Sequence, residues 1–310
     1  MESAWKGHAG VTARCTISLH ASGREFSCEV GDYTLSVVSV GGGISSFKWR
    51  GRDLLFPHNV AEVAPGWSGK VLLPWPNRIA DGRYTWDGKE YLLPINDRGT
   101  GTALHGLAGW VPWEFVDATA SHVVLEAFIA AQEGYPWPLS ARLDLHLDAE
   151  KGLSIDISAK NLGDSPAPYG SSLHPYLLAA SSVNECTLHS PASTIVMTDH
   201  NLLPTAIEAV HDAYDFRTAH KIGDLFIDHC FGGLEGQWEV RLTDDEGKGV
   251  SLSSNTPWVQ LHTADALGRP GLAVEPMTCP PDAFNSGIDV VSLAPGQRHR
   301  LSMSIRFVRY

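Results

Sequence analysis

The chain is 310 residues long, 43% hydrophobic and 19% charged, which is enough for two ordinary domains or one large β unit. Its 23 Lys and Arg against 35 Asp and Glu leave a formal charge of −12, which repels phosphate backbones and anionic headgroups and argues against nucleic-acid and membrane partners. Glu2, Lys6, Gly7 and His8 interrupt any apolar run in residues 1–11, so neither a signal peptide nor a membrane span is expected there, and Cys15, Cys28, Cys186, Cys230 and Cys279 contain no C-x-x-C pair and fit free thiols in a reducing, cytoplasmic compartment.

In chain order, a strand-like run from Leu35 to Val40 leads into Gly41-Gly42-Gly43, which reads as a tight turn because nothing after it resembles a helix N-terminus that would hold a phosphate. Leu73-Pro74-Trp75-Pro76-Asn77-Arg78-Ile79 and Leu104-His105-Gly106 follow as loop-like stretches. Leu143, Leu145 and Leu147 alternate with Arg142, Asp144 and His146, and Leu153, Ile155 and Ile157 with Ser154, Asp156 and Ser158. The short polar connection Asp148-Ala149-Glu150-Lys151-Gly152 makes these two runs an antiparallel hairpin. Trp238, Val240 and Leu242 lead through a second polar turn to Val250 and Leu252, and Leu301, Met303, Ile305 and Phe307 form a closing strand. No segment keeps a helical period over three turns, and 30 Gly with 19 Pro punctuate the chain without a linker or a repeat. The expected fold is all-β, a large antiparallel β-sandwich spanning 1–310 as one domain.

The chain lacks G-x-S-x-G, G-x-x-x-x-G-K-[ST], H-E-x-x-H and G-x-G-x-x-G motifs, which removes the usual serine-hydrolase, mononucleotide, zincin and dinucleotide readings. Glu275 stands in an apolar run that reads as a strand ending at Pro276. Burial there raises a carboxyl pKa toward what a general acid or base needs, and the alternative is an exposed strand-end glutamate paired with an arginine. His174 precedes Pro175, which holds it extended at a strand edge, its imidazole with a choice of tautomers; the alternative is a plain strand cap. The fork of Arg78 suits sugar hydroxyls or a structural carboxylate. Trp75, Trp110, Trp113 and Trp137 offer faces for a sugar ring or fill the core.

Taken in order, Gly41-Gly42-Gly43-Ile44, Asn77-Arg78-Ile79 with Gly82-Arg83-Tyr84, Leu104-His105-Gly106, Leu173-His174-Pro175-Tyr176, Ile227-Asp228-His229, Val259-Gln260, and Val274-Glu275 followed by Pro281-Asp282-Ala283-Phe284-Asn285 resemble the aldose 1-epimerase (galactose mutarotase) family over residues 35–307. The resemblance implies a galactose mutarotase-like supersandwich with an open groove, no cofactor and no metal, acting on the anomers of a small-molecule aldose. It implies Glu275 as general base on the C1 hydroxyl and His174 as general acid on the ring oxygen, so that a carboxylate and an imidazolium coexist in the free enzyme. Asn77, Arg78, His105, Tyr176, Asp228 and Gln260 match positions that hold hydroxyls or orient the ring.

Two alternatives remain at this level. One is mutarotation of a charged hexose, a 6-phosphate or a sulfonated sugar, with Arg52, Lys70, Arg83 and Arg98 as candidate cations. The other is a carbohydrate-binding protein without proton transfer. A metal hydrolase using His174, His105, Asp228 and Glu275 lacks a short-spaced His pair. Oligomeric state is not legible.

Overall fold

A computed structural model describes the backbone of residues 3–6 and 11–310 and the side chains from residue 19 onward; most of the N-terminal stretch and the Cys15 side chain lie outside the described residues. The first sheet is a six-stranded meander in chain order, from Ser3–Lys6 to Arg52–Asp53. Gly41 and Gly42 turn between two of its strands, Tyr33–Val38 and Gly43–Trp49, with φ of 75° and 56°, a region that glycine enters without a Cβ penalty. The expected tight turn is present.

The second sheet has nine strands and carries the hairpins anticipated above. Leu139–Asp148 pairs with Gly152–Asn161 in the register Leu147 to Leu153 and Asp148 to Gly152, and Gly152–Asn161 then pairs with the closing strand Arg298–Arg309. Trp238–Thr243 and Lys248–Ser254 form the other hairpin. Leu143, Leu145, Ile157 and Ile305 are fully buried, whereas the alternating polar residues keep partial contact with water. Burial of each such side chain contributes roughly 1.5–3 kcal/mol.

A further six-stranded sheet runs in the order Tyr176–Leu177, Leu272–Met277, Trp258–His262, Asp228–Gly232, Thr194–Thr198, Pro204–Ala209. One buried apolar cluster draws on all three sheets, from Phe26 and Leu35 through Leu145 to Val274 and Ile305. Among the described residues the only α-helix is the single turn Ala283–Ser286. Among the described residues no helix is long and apolar enough to cross a membrane. Cys28, Cys186, Cys230 and Cys279 are buried free thiols.

One strand differs from expectation. Leu272–Met277 does not stop at Pro276 but runs through it, with Pro276 opposite Val259. Tyr176–Leu177 reaches only Leu272 and Ala273 on the other edge, so Pro276 sits where that ladder has ended and a missing N–H is tolerated.

Candidate active site

The third sheet contributes to a cleft of about 150 Å³ lined by Gly66, Trp67, Asn77, Arg78, Leu104, His105, His174, Tyr176, Asp228, Gln260, His262 and Glu275. All eight residues singled out from the sequence meet there. Register does much of the work: Gln260 lies opposite Glu275, and His262 lies opposite Ala273 on one side and Asp228 on the other. Because side chains alternate along a strand, Gln260 and His262 share a face with Trp258.

Glu275 is 1% exposed and lies 3.3 Å (Oε1) from Nε2 of His174, which is 4% exposed. The backbone holds His174 on both sides, its N–H donating to the Lys70 carbonyl at 3.0 Å and its carbonyl accepting from Gly69 at 2.8 Å. Among the described residues, Nδ1 of His174 and Oε2 of Glu275 are buried with no hydrogen-bond partner. Such groups are costly unless a ligand or a reaction uses them.

Asn77 and His105, which also line the cleft, are both in the left-handed region at φ of 56° and 64°. They fasten each other: the His105 N–H donates to the Asn77 carbonyl at 2.9 Å, and the Asn77 N–H donates to His105 Nδ1 at 3.2 Å. Nδ1 therefore serves as acceptor, and neutral His105 carries its proton on Nε2. Backbone strain of this kind concentrates at functional sites. Arg78 is held more loosely, with Nη1 at 3.4 Å from Asn77 Oδ1, Nη2 at 3.5 Å from Asp97, and a buried Nε without a partner. Asp282 steadies this segment, donating from its N–H to the Arg78 carbonyl at 2.8 Å and accepting from the Ala80 N–H at 3.0 Å. On the sheet side, Gln260 donates to Asp228 Oδ1 at 2.7 Å, and His262 Nδ1 approaches the same oxygen at 3.8 Å.

Burial dominates the electrostatics. Desolvation, with the charge of Asp228, raises Glu275 well above its ordinary value of 4.5, against the smaller opposing effect of Arg78. Desolvation also lowers His174 to about 3, with the charge of His262 adding to the effect, and His105 falls well below the ordinary 6.5 for the same first reason. Burial thus works against both charged forms, the carboxylate of Glu275 and the imidazolium of His174, that the resemblance implies for the free protein.

The candidate cations are elsewhere. Arg52 pairs with Asp244 at 2.9 Å, Arg83 with Glu90 at 2.6 Å, and Lys70 is buried with its Nζ 2.5 Å from the Val40 carbonyl; Arg98 does not line the cleft either. Among the described residues, Arg78 is the one lysine or arginine that does. Of the four tryptophans considered, Trp75, Trp113 and Trp137 are core, and Trp110 is 45% exposed. Trp67, in the cleft wall, and His262 were not anticipated. His262 was available from period two, two residues beyond Gln260; Trp67, in an irregular turn, gave no periodic signal. Among the described residues no three His, Cys, Asp or Glu side chains form a metal-binding group.

The aldose 1-epimerase family profile matches residues 26–306. The chain belongs to the aldose 1-epimerase family. Within it, the chain is 41% identical to the uncharacterized protein YihR of Escherichia coli over 93% of this chain and 94% of that one, and 23% identical to the galactose mutarotase of Mus musculus over 77% and 78%. In three dimensions this family member resembles a galactose mutarotase-like protein from Clostridium acetobutylicum, with a TM-score of 0.84 at 17% identity, covering 98% of this chain and 100% of that one. A putative aldose 1-epimerase from Escherichia coli superposes with a TM-score of 0.80 at 24% identity, covering 92% and 98%. The β-sandwich is that of the galactose mutarotases.

Proposed function

We propose that the protein is an aldose 1-epimerase acting on a free aldohexose, with Glu275 and His174 as its acid/base pair. The observation that carries this reading is the 3.3 Å contact between them at the bottom of a cleft whose other polar groups converge without being fully used. Ring opening removes a proton from O1 and delivers one to O5. The pair supplies this with the single proton it holds. That proton first crosses from Glu275 to His174; Glu275 then takes the O1 proton as His174 protonates O5, and the C1–O5 bond breaks to leave an aldehyde at C1 and a hydroxyl at C5. The pair returns to its resting arrangement while the sugar is open. Rotation about C1–C2 and reversal of the transfers, O5 losing its proton to His174 and O1 gaining one from Glu275, close the ring as the other anomer.

Asn77, Arg78, His105, Tyr176, Asp228 and Gln260 hold the hydroxyls in this reading. Positioning of that kind contributes several kcal/mol without chemistry of its own. Tyr176 is already committed as a donor to the Gly66 carbonyl at 2.8 Å, so toward a sugar its hydroxyl accepts. His105 offers Nε2–H as a donor.

A second reading, a monoanionic hexose such as a 6-sulfonated sugar, is supported by the unpartnered Nε of Arg78. A 6-phosphate dianion is disfavoured because, among the described residues, no second lysine or arginine lines the cleft. Polarimetry or exchange NMR on freshly dissolved α-glucose, α-galactose, a 6-sulfonated hexose and a hexose 6-phosphate decides among them. Faster equilibration of one of the neutral sugars than in buffer is the expected outcome. Binding without acceleration of any of them would make the protein a carbohydrate binder and end the catalytic reading.

A further inference from the structure

The charge of Arg78 is answered from outside the cleft. Asp97, which does not line it, places Oδ2 3.5 Å from Arg78 Nη2, longer than a good hydrogen bond, in a pair whose side chains are only 12% and 22% exposed. Both ends of this pair are fastened. Arg78 stands opposite Leu104 in a short ladder, and the Asn96 side chain binds the backbone of that same leucine, accepting from its N–H at 2.6 Å and donating to its carbonyl at 2.9 Å. Asp97 and Thr102 then exchange backbone N–H to carbonyl bonds in both directions, each at 3.1 Å. Backbone bonds therefore set the carboxylate beside the guanidinium and keep it from closing into a tight ion pair.

The oxygen that faces Arg78 is also shared. Thr100 donates its hydroxyl to Asp97 Oδ2 at 2.8 Å and, with its one proton committed there, accepts from the buried Thr102 hydroxyl at 2.8 Å. Two hydroxyls aligned in one direction thus stabilise the negative charge on Asp97 independently of Arg78. Asp97 cancels part of the positive field that Arg78 presents to the cleft, while the long Nη contacts and, among the described residues, an unpartnered Nε leave the guanidinium donors for a ligand. An anionic group on a sugar draws on the charge, whereas a neutral hydroxyl draws only on the donors. Asp97 therefore weighs far more on the first than on the second.

We propose that Asp97 is a positioning residue that determines specificity through Arg78: it holds back part of the guanidinium charge and so sets how far the cleft prefers a neutral hexose over one with an anionic substituent. The proposal rests on the epimerase reading above, with the sugar bound against Arg78. The probes are glucose and glucuronate, which share a ring and differ in charge at C6. The quantity is the ratio of KM for glucose to KM for glucuronate, from exchange NMR at low ionic strength, for the unaltered protein, Asp97→Asn, Asp97→Glu and Thr100→Val. Asp97→Asn should raise the ratio about tenfold, equivalent to about 1.4 kcal/mol, and the rise should shrink as salt is added. Asp97→Glu keeps the charge and should recover most of the original ratio. Thr100→Val removes the hydroxyl that competes with Arg78 for Oδ2 and should lower the ratio about threefold; should that variant fail to fold, the two Asp97 variants decide. A ratio unmoved by Asp97→Asn, even with both KM values raised, would make Asp97 a plain support for its loop and overturn the proposal, as would a rise in the ratio for Thr100→Val. Should the protein exchange only one of the sugars or neither, the ratio of Kd values from calorimetry takes the place of the KM ratio with the same outcomes, and exchange of neither ends the epimerase reading by itself. Binding of neither sugar by any of the four proteins would overturn both.

Discussion

The strands Leu139–Asp148 and Leu272–Met277 belong to the same fold and are built on opposite rules. In the first, buried leucines alternate with partly exposed polar residues, so one face meets the core and the other meets water. In the second, every residue is buried, Glu275 among them. A charged residue on the outer face of Leu139–Asp148 costs little; burial in Leu272–Met277 penalises the charged form of a carboxyl group and raises its pKa. The first strand is explained by folding, and the second contains a residue that folding alone would replace.

The largest effect expected from this contrast is a dissociation of activity from stability. Glu275→Gln should lower mutarotation by 10²- to 10⁴-fold, the usual reach of general acid/base catalysis, because an amide keeps the shape and cannot exchange the proton. Stability should move the other way. The folded Glu275 carboxyl has its pKa raised above the unfolded value near 4.5, so its contribution is fully present below about pH 4.5 and is lost as pH rises toward the folded value. The glutamine variant has no such loss, and its advantage should grow by about 1.4 kcal/mol per pH unit across that window. Leu145→Ala is the counterpart: a loss of about 2–5 kcal/mol in denaturant titration with kcat of the folded protein unchanged. A glutamine variant that is both active and no more stable at pH 8 than the parent would dissolve the distinction.

The same contrast explains what could be read from the sequence. The hairpin through Asp148 and Gly152 was legible because a strand with one wet face writes its orientation as alternation, and its turn residues are the ones such turns require. Glu275 was legible for the opposite reason, as a charge interrupting an apolar run. Cations near Asn77 in sequence did not reach the cleft, because hairpins send neighbours to different faces: Arg83 projects outward to Glu90, and Lys70 lies behind Trp110. Trp67 follows Gly66 in a turn where both have positive φ, 61° and 53°, a conformation dictated by packing and invisible to any period.

Protonation of the pair gives the next effect in size. The one-proton state lies between the value for His174, about 3, and the raised value for Glu275. In the pair's macroscopic titration the acidic limb then reports His174 gaining a proton and the alkaline limb Glu275 losing one. The profile of kcat/KM should be flat between these two limbs, wherever the protein stays folded. An acidic or alkaline midpoint near 6.5 would instead restore an imidazolium of ordinary pKa. Asp228→Asn sharpens the test: it removes a negative charge that raises Glu275, so the alkaline limb should move to lower pH. A limb that stays in place would detach Asp228 from the proton balance and leave it only the hydroxyls.

The smallest effect comes from comparing two arginines. Arg300, on the nine-stranded sheet, makes a two-point pair with Asp156, its Nε donating at 2.8 Å, yet its side chain is 64% exposed. Arg78, in the cleft, has contacts of only 3.4 and 3.5 Å and a side chain 12% exposed. Quality of pairing and importance run in opposite directions. An exposed pair is screened by water and salt and constrains two long side chains, so Arg300→Ala should cost about 0.2–1 kcal/mol of stability, less at high ionic strength, with no change in kcat or KM. Arg78 has donors that the protein leaves unused, which is the condition for spending them on a ligand. Thermal unfolding of Arg300→Ala at low and high salt, beside its sugar kinetics, is the measurement. A loss several times larger, or any change in KM, would mean that the outer face of that sheet is coupled to the cleft and that the separation between a folding region and a chemical one is not as clean as their burial patterns imply.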